Sequence, residues 1–316
     1  MTHKTLTAIA LLLCAHVALG APRVFVTNEM DDTVSVIDAA TNTVTATIPV
    51  GKRPRGIGVA PDGREIYVAI SGDNAIAVLD PATLKVTRTF PSGDDPETFA
   101  VHPHSGHLYI SNEEDAKASV FDPRTGARVA EIKVGIEPEG VAVSPDGTRA
   151  IVTSESTNML HVISIPEHEI VANILVGARP RAASFSADGK LAYATSEISG
   201  EVKKVDVATG KIVGRMPLAD DKAKPKDILP GKDGKSLYVA GGRANRVFVL
   251  DEKSLEITHE IPVGKRVWGL AFSRDGRRLY TTDGASNQVS VIDVMAHKVV
   301  ATVPVGAMPW GIVVVE

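Results

Sequence analysis

Seven charged or aromatic side chains recur at almost even intervals along this chain, and most of them directly follow a proline. Successive members are 42 residues apart, except for one interval of 45. Carboxylates can act as general acids and bases, arginine and lysine can hold an anion, and tryptophan offers a flat apolar surface. If the fold brings these positions together, they could bind a planar anion or a protein loop. They are Arg55, Glu97, Glu139, Arg181, Lys226, Trp268 and Trp310.

A second set of acidic residues recurs in the same register, 16 residues after a member of the first set or in the equivalent place at the chain ends. We expect these carboxylates to face the same rim as the first set. A purely structural alternative stays open, in which the basic residues only neutralise the acids around them, since partly exposed ion pairs contribute about 0 to 1 kcal/mol. The acids of this second set are Glu29, Glu113, Glu155 and Glu197.

The spacing reflects an internal repeat. Glycines that end a "PVG"-like phrase occur at Gly51, Gly93, Gly135 and Gly177, each 42 residues after the last. A repeat with a three-residue insertion within 219–224 precedes the next such glycine. Asp-Gly pairs between short apolar runs mark tight hairpin turns inside the repeats. Each repeat therefore predicts four short antiparallel strands, which is one blade of a β-propeller.

Residues 21–316 hold about seven such repeats, so we predict an all-β, seven-bladed propeller with four strands per blade. The N-terminal stretch 21–51 supplies only the last three strands of a blade. The stretch 305–316 reads as the missing first strand. Pairing of the two ends would close the ring and leave no free sheet edge between the first and last blades.

Residues 1–20 differ from the rest of the chain and resemble a secretory signal peptide. Lys4 precedes an apolar run from Leu6 to Ala15, and small residues stand before a cleavage point after Gly20. The only cysteine, Cys14, lies inside this segment. We expect a periplasmic mature protein without thiols and without a membrane anchor after cleavage. The formal net charge of −4 and the lack of a basic stretch argue against nucleic acid as a partner.

The common catalytic and cofactor motifs are absent from the sequence. We find no haem-attachment, nucleophile-elbow, zinc-protease or phosphate-loop pattern. His102, His104 and His107 in "HPHSGH" belong to a turn, and we interpret them as solvated turn residues rather than as metal ligands. No catalytic residue, metal or cofactor is therefore predicted from motifs.

Phrases such as "LYVAGGRANRVFVLD", "VFVTNEMDDTVSVID" and "VAVSPDGTRAIVT" resemble the YVTN β-propeller repeat family over the whole chain after residue 20. A narrower resemblance is to propellers associated with pyrroloquinoline quinone-dependent catabolism. That subgroup implies a quinoprotein dehydrogenase or its cytochrome as a partner. "DVATGK" resembles the start of a quinoprotein tryptophan-docking motif, but Gly214 stands where that motif has tryptophan, which argues against bound quinone.

The leading hypothesis is a non-catalytic periplasmic propeller that binds a protein partner or a small anionic ligand, in the service of quinone-dependent alcohol oxidation. The first alternative is a hydrolase similar to the seven-bladed lactonases, with Glu97 and Glu139 as acid and base and arginine as an anion clamp. The second alternative is a surface-layer-like structural or accessory subunit. In the first two, the residues above are the candidate site.

Overall fold

The computed structural model describes residues 22–218 and 220–316. Over these residues the chain forms seven four-stranded antiparallel sheets, which confirms the seven-bladed β-propeller. The predicted signal peptide, residues 1–20, and Ala219 of the predicted insertion lie outside the described residues. None of the helices in the described part has the length and apolarity needed to cross a bilayer.

The strands follow one another around the ring, four to a blade, and blade 1 takes its first strand from the C-terminus. Two short 3-10 helices, Ser71–Asp73 and Gly284–Ser286, lie in loops between second and third strands. In chain order the strands are β1 (Arg23–Asn28), β2 (Thr33–Asp38) and β3 (Thr43–Pro49) of blade 1; β4 (Pro54–Val59), β5 (Ile66–Ile70), β6 (Ala75–Asp80) and β7 (Lys85–Pro91) of blade 2; β8 (Pro96–Val101), β9 (Leu108–Asn112), β10 (Lys117–Asp122) and β11 (Ala127–Lys133) of blade 3; β12 (Pro138–Val143), β13 (Arg149–Ser154), β14 (Met159–Ser164) and β15 (Ile170–Leu175) of blade 4; β16 (Pro180–Phe185), β17 (Leu191–Ser196), β18 (Glu201–Asp206) and β19 (Lys211–Pro217) of blade 5; β20 (Ile228–Pro230), β21 (Ser236–Ala240), β22 (Arg246–Asp251) and β23 (Ile257–Pro262) of blade 6; β24 (Val267–Phe272), β25 (Arg278–Asp283), β26 (Gln288–Asp293) and β27 (Lys298–Pro304) of blade 7; and β28 (Pro309–Val315) of blade 1.

The ring closes as the sequence predicts. Strand β28 pairs antiparallel with β1, so that Val315 lies opposite Arg23 and Pro309 lies opposite Asn28. The last residues of the chain thus become the innermost strand of the blade that the first residues begin. The closure leaves no unpaired strand edge between blades 1 and 7.

The core is divided among the blade interfaces. Seven clusters of buried apolar side chains are present, and each joins one blade to the next. The second strands are buried on both faces because neighbouring blades cover both sides, as in β5, where every residue is buried. The fourth strands face solvent and alternate in burial, as in β7. A rigid ring therefore presents its first strands to the central channel.

Candidate functional site at the channel mouth

The mouth face of the propeller carries the loops that lead into the first strands and the loops between second and third strands. Each loop before a first strand is held by the preceding blade. The Asn158 side chain of blade 4 accepts a hydrogen bond from the Arg179 N–H at 3.0 Å, and Asn245 of blade 6 accepts one from Arg266 N–H at 2.9 Å. Both arginines have positive φ angles, 57° and 58°. This turn fixes the direction in which the following first strand enters the channel wall.

Hydroxyl side chains then tie neighbouring first strands together. Thr27 accepts a hydrogen bond from Gly311 N–H at 2.8 Å and donates to the Arg55 carbonyl at 2.7 Å. Thr282 joins Gly269 N–H and the Trp310 carbonyl in the same way, at 2.7 Å each. Blades 3, 4 and 5 repeat the bridge with Ser111, Thr153 and Thr195. The ties fix the backbone of five of the seven predicted mouth residues.

Arg55 lies in an acidic cluster on one side of the mouth. Its Nε is 3.1 Å from Glu29 Oε1, its Nη1 is 3.9 Å from Glu113 Oε2, and it forms an ion pair with Glu97. Glu97 is completely buried, so the guanidinium is needed to compensate its charge. Burial raises the pKa of Glu113, and the nearby Arg55 charge only partly offsets that effect.

Asp95 belongs to the same cluster. One carboxylate oxygen from each of Asp95, Glu97 and Glu113 lies within 4.8 Å of the others. Arg53 adds a second cation, since its Nη1 is 3.9 Å from Asp95 Oδ1. Arg53 and Arg55 already occupy the positions from which a cation would compensate these acids. Ion pairing with these two arginines therefore accounts for the charge of the cluster.

Arg181 organises the opposite side of the mouth. This buried guanidinium places Nη2 at 2.8 Å from Glu139 Oε1, pairs with Glu155, and lies 3.8 Å from Glu197 Oε2. Burial and the negative charge of Glu139 raise the pKa of Glu155 against the effect of the arginines. Arg179 reinforces the group, with its Nε 2.6 Å from Glu155 Oε2. The predicted acids of this sector are held by guanidinium groups rather than free.

The two tryptophans lie in contact beside this cluster. Their ring centroids are 5.7 Å apart at an interplanar angle of 51°. Three cations surround the Trp268 ring: Lys226 Nζ is 4.6 Å from its centroid, and the guanidinium carbons of Arg266 and Arg181 are at 4.9 and 5.6 Å. Arg266 forms no ion pair with any of the described residues. The aromatic sector is thus the place where positive charge accumulates.

The indole nitrogens of the tryptophan pair are unsatisfied. Neither Trp268 Nε1 nor Trp310 Nε1 has a hydrogen-bond acceptor among the described residues, although both atoms are buried. A buried donor without a partner costs about 1–3 kcal/mol.

Lys226 connects the aromatic sector to the Arg181 cluster. Its Nζ is 2.9 Å from Glu197 Oε2. Burial and repulsion from Arg181 lower the pKa of the Lys226 ammonium to about 8, although Glu197 works in the opposite direction. At neutral pH this lysine is therefore mostly charged, but it releases its proton more readily than an exposed lysine.

A cavity of about 390 Å³ begins at this sector and continues into the channel. Its polar lining includes Glu139, Arg181, Lys226 and both tryptophans, whereas its deeper wall is apolar. The apolar wall is formed by first-strand side chains such as Ile57, Phe99, Val141, Leu270 and Ile312. The volume falls within the usual range of small-molecule sites. Arg55 and Glu97 do not line it.

Asp227 also lines this cavity, and the sequence analysis did not identify it. Its carboxylate accepts hydrogen bonds from Leu270 N–H at 2.9 Å and from Ile228 N–H at 2.8 Å. Burial raises the pKa of Asp227 from 3.8 to about 6, and the two hydrogen bonds only partly oppose this. The Asp227 side chain is surrounded by protein, but part of it remains exposed to the channel.

The local architecture of blade 6 explains how an aspartate fits at this position. The aligned residue in four other blades is glycine, because a Cβ there would meet a carbonyl of the next blade, as close as 2.5 Å at Gly140 and Gly311. In blade 6 the first strand pairs with β21 without the usual register shift. Lys226 N–H donates to the Ala240 carbonyl at 2.9 Å, and Asp227 lies where the first strands of the other blades have a β-bulge.

The face opposite the mouth corrects one expectation. His102 is not a solvated turn residue: it is buried, its Nε2 lies 3.0 Å from the Gly147 carbonyl, and its Nδ1 accepts hydrogen bonds from the N–H groups of His104 and Ser105 at 3.1 Å. Both ring nitrogens are therefore used within the fold. His104 is exposed, as expected.

Comparison with known proteins places the chain among seven-bladed propellers. The profile of the YNCE-like beta-propeller family matches residues 5–105, and that of the family described as "Lactonase, 7-bladed beta-propeller" matches residues 141–302, just over half of the chain. No curated protein sequence matches the chain. The narrower resemblance to the quinone-associated propellers stays a prediction.

Solved structures support the same fold. Hydrazine synthase from Kuenenia stuttgartiensis is 24% identical, with a TM-score of 0.74 over 82% of this chain and 88% of that chain. A protein of unknown function from Desulfotomaculum acetoxidans is 14% identical, with a TM-score of 0.80 over 93% of this chain and 99% of that chain. Identities this low show the fold alone. With seven closed blades and a family match over half of its length, the chain belongs to the seven-bladed β-propeller family of the lactonase type.

Proposed function

We propose that this propeller binds a small, flat anion in the mouth of its central channel. The observation that carries the proposal is the Trp268 sector, where Lys226, Arg266 and Arg181 surround one aromatic ring and two buried indole N–H groups have no acceptor. A carboxylate would meet the charge of Arg266, which forms no ion pair with any of the described residues. A flat apolar body would fill the space between the tryptophans and the apolar channel wall.

The tryptophans supply a direct assay, because the chain contains only these two. We expect benzoate to quench or shift the intrinsic fluorescence with saturation, and benzamide, which is neutral and nearly isosteric, to do so only weakly. Trp310→Phe retains the reporter at Trp268 and should keep a saturable response. Lys226→Met should weaken benzoate binding about tenfold or more, because it removes a desolvated cation from the ring.

A matched variant separates charge at this sector from charge in general. Lys232→Met removes a lysine of the opposite face and should leave the benzoate response unchanged. A wild-type response that is equal for benzoate and benzamide would contradict the proposal, and so would the absence of any saturable response.

Lactone hydrolysis is a second candidate function, favoured by the family match over residues 141–302. The cavity contains the elements that hydrolysis needs: an acid with a raised pKa, an ammonium with a lowered pKa and hydrogen-bond donors without acceptors. A lactone that carries a carboxylate would meet the same cations as a simple anion. Binding of the anion is therefore common to both candidates.

A further inference from the structure

The sequence suggested Glu97 and Glu139 as acid and base for a hydrolytic activity, but the structure makes both unsuitable. Glu97 is completely buried beneath Arg55 and does not line the cavity. Glu139 lines the cavity, but its Oε1 is held by Arg181 at 2.8 Å. A guanidinium that occupies a carboxylate oxygen competes for the lone pair that would take a proton from water. The base must be sought elsewhere in the cavity.

We propose that Asp227 is the general base of this channel and activates a water molecule for attack on a lactone that carries an anionic group. The proposal rests on the anion binding proposed above and assigns a catalytic residue to it. Asp227 is the cavity-lining carboxylate without an ion-pair partner among the described residues. Its oxygens accept only from two backbone N–H groups, so lone pairs remain for water.

The negative charge of Asp227 exceeds what the fold requires at this place. In five other blades a neutral hydroxyl side chain ties neighbouring first strands together. Blade 6 has Ala240 at that position, and the Asp227–Leu270 hydrogen bond provides a substitute tie. A buried carboxylate is destabilising in its charged form, whereas a threonine would have been sufficient. Departures from a repeated local rule are concentrated at functional sites.

The cavity that Asp227 lines also supplies the other groups of the reaction. Lys226 lines it, and the charged groups that act on Lys226 are Arg181, Glu197 and Glu139. The shift in the pKa of Asp227 itself comes from burial and from the two N–H groups, with no charged side chain among its causes. Trp268 and Trp310 add an aromatic surface to the same cavity.

The proposed step balances without a further reactant. Asp227 takes a proton from water as the water oxygen bonds to the lactone carbonyl carbon, and negative charge develops on the carbonyl oxygen in the field of the cations that line the cavity. The ring C–O bond then breaks, and the leaving oxygen takes a proton from the Lys226 ammonium. Asp227 then releases its proton to solvent water and Lys226 takes one up from solvent water, which restores both groups. One lactone and one water give one hydroxy acid.

The test compares lactones with and without a carboxylate substituent. 5-Oxotetrahydrofuran-3-carboxylate and 6-oxotetrahydropyran-2-carboxylate are offered beside neutral γ-butyrolactone and δ-valerolactone, with release of acid followed in a pH-stat. We expect wild-type protein to hydrolyse at least one charged lactone faster than its neutral counterpart. Asp227→Asn should lower kcat 100-fold or more, as the loss of a general base does. Benzoate affinity should change less than threefold.

Two measurements separate catalysis from a structural role. Formate should partly restore turnover to Asp227→Ala, because a small carboxylate can enter the space left by the side chain. The wild-type profile of kcat/KM against pH should have an ascending limb near 6 and a descending limb near 8, and Asp227→Asn should lose the ascending limb. Asp62→Asn removes an exposed acid of the opposite face and should retain wild-type kcat.

The outcomes distinguish this inference from the proposed function. If wild-type protein hydrolyses none of the charged lactones but binds benzoate, the assignment of Asp227 is wrong and anion binding stands. If wild-type protein binds no benzoate, the proposed function is wrong. An Asp227→Asn variant with wild-type kcat, or a folded Asp227→Ala variant whose turnover does not respond to formate, would also overturn the assignment.

Discussion

Replacement of Asp227 by asparagine should change how the stability of the protein depends on pH. The folded protein raises the pKa of this carboxyl from 3.8 to about 6. An acid with a raised pKa destabilises the folded state once it is ionised, so its contribution is favourable at low pH and is lost as the pH rises through about 6. Asparagine does not titrate in this range.

The shift of about two pKa units corresponds to about 3 kcal/mol, since each unit is about 1.4 kcal/mol. Between pH 4 and pH 7 the free energy of unfolding of wild-type protein should therefore fall by about 2 kcal/mol relative to that of Asp227→Asn. The absolute difference at one pH also contains the cost of placing an amide opposite the Leu270 and Ile228 N–H groups. The change with pH does not contain that cost.

Urea unfolding followed by circular dichroism at pH 4, 5, 6 and 7 measures the difference. Burial also raises the pKa values of other carboxyls, including Glu113 and Glu155. They are present in both proteins, so they cancel in the comparison. Asp62→Asn, on the exposed turn of the opposite face, controls for the loss of one charge. A wild-type minus Asp227→Asn difference that stays constant from pH 4 to pH 7 would refute the reasoning.

Three further predictions concern the ring and the mouth. Deletion of residues 305–316 should cause global unfolding or aggregation, because it strips β28 from β1; an unchanged melting temperature would contradict the closure. Arg55→Met should lower the free energy of unfolding by about 3–5 kcal/mol in urea titrations, because it leaves Glu97 buried without its cation. Arg64→Met, on an exposed turn, should have little effect, and similar losses in both variants would refute this prediction. Thr27→Val should lower the free energy of unfolding by about 1–3 kcal/mol in the same assay, because the Arg55 carbonyl and the Gly311 N–H lose their hydrogen-bond partner. A decrease below about 0.5 kcal/mol would show that this tie is dispensable.

The repeat made the fold predictable from the sequence. Markers 42 residues apart define the blades, and the spare strand at residues 305–316 defines the closure. Register within the repeat also brings together Arg181, Lys226, Trp268 and Trp310 in one cavity, since equivalent positions of a closed ring share one rim.

Which side chains pair with one another at the mouth could not be predicted from the sequence. The sequence grouped Arg55 and the tryptophans in one candidate site, but the structure places Arg55 among carboxylates, and Arg181 and Arg266 lie beside Trp268. Which of several equivalent cations reaches a ring depends on side-chain direction, which the repeat does not encode. Arg266 could have been found two residues before Trp268, the position of the repeat that Arg53 and Arg179 also occupy.

Asp227 lies outside the pattern that identified the other candidates, because that pattern concerns the repeat position of Lys226. It stands at the next position, which is glycine in Gly56, Gly140, Gly269 and Gly311. An acid at a position that is otherwise small is itself a signal, although only the structure shows that β20 loses its register shift and leaves room for the side chain.

A crystal structure of the protein soaked with benzoate tests the central claim most directly. The account predicts the carboxylate within ion-pair distance of Lys226 or Arg266. It also predicts the phenyl ring against the apolar wall of the cavity. Benzoate bound beside Arg55, on the opposite face, or nowhere in the channel at saturating concentration would contradict it.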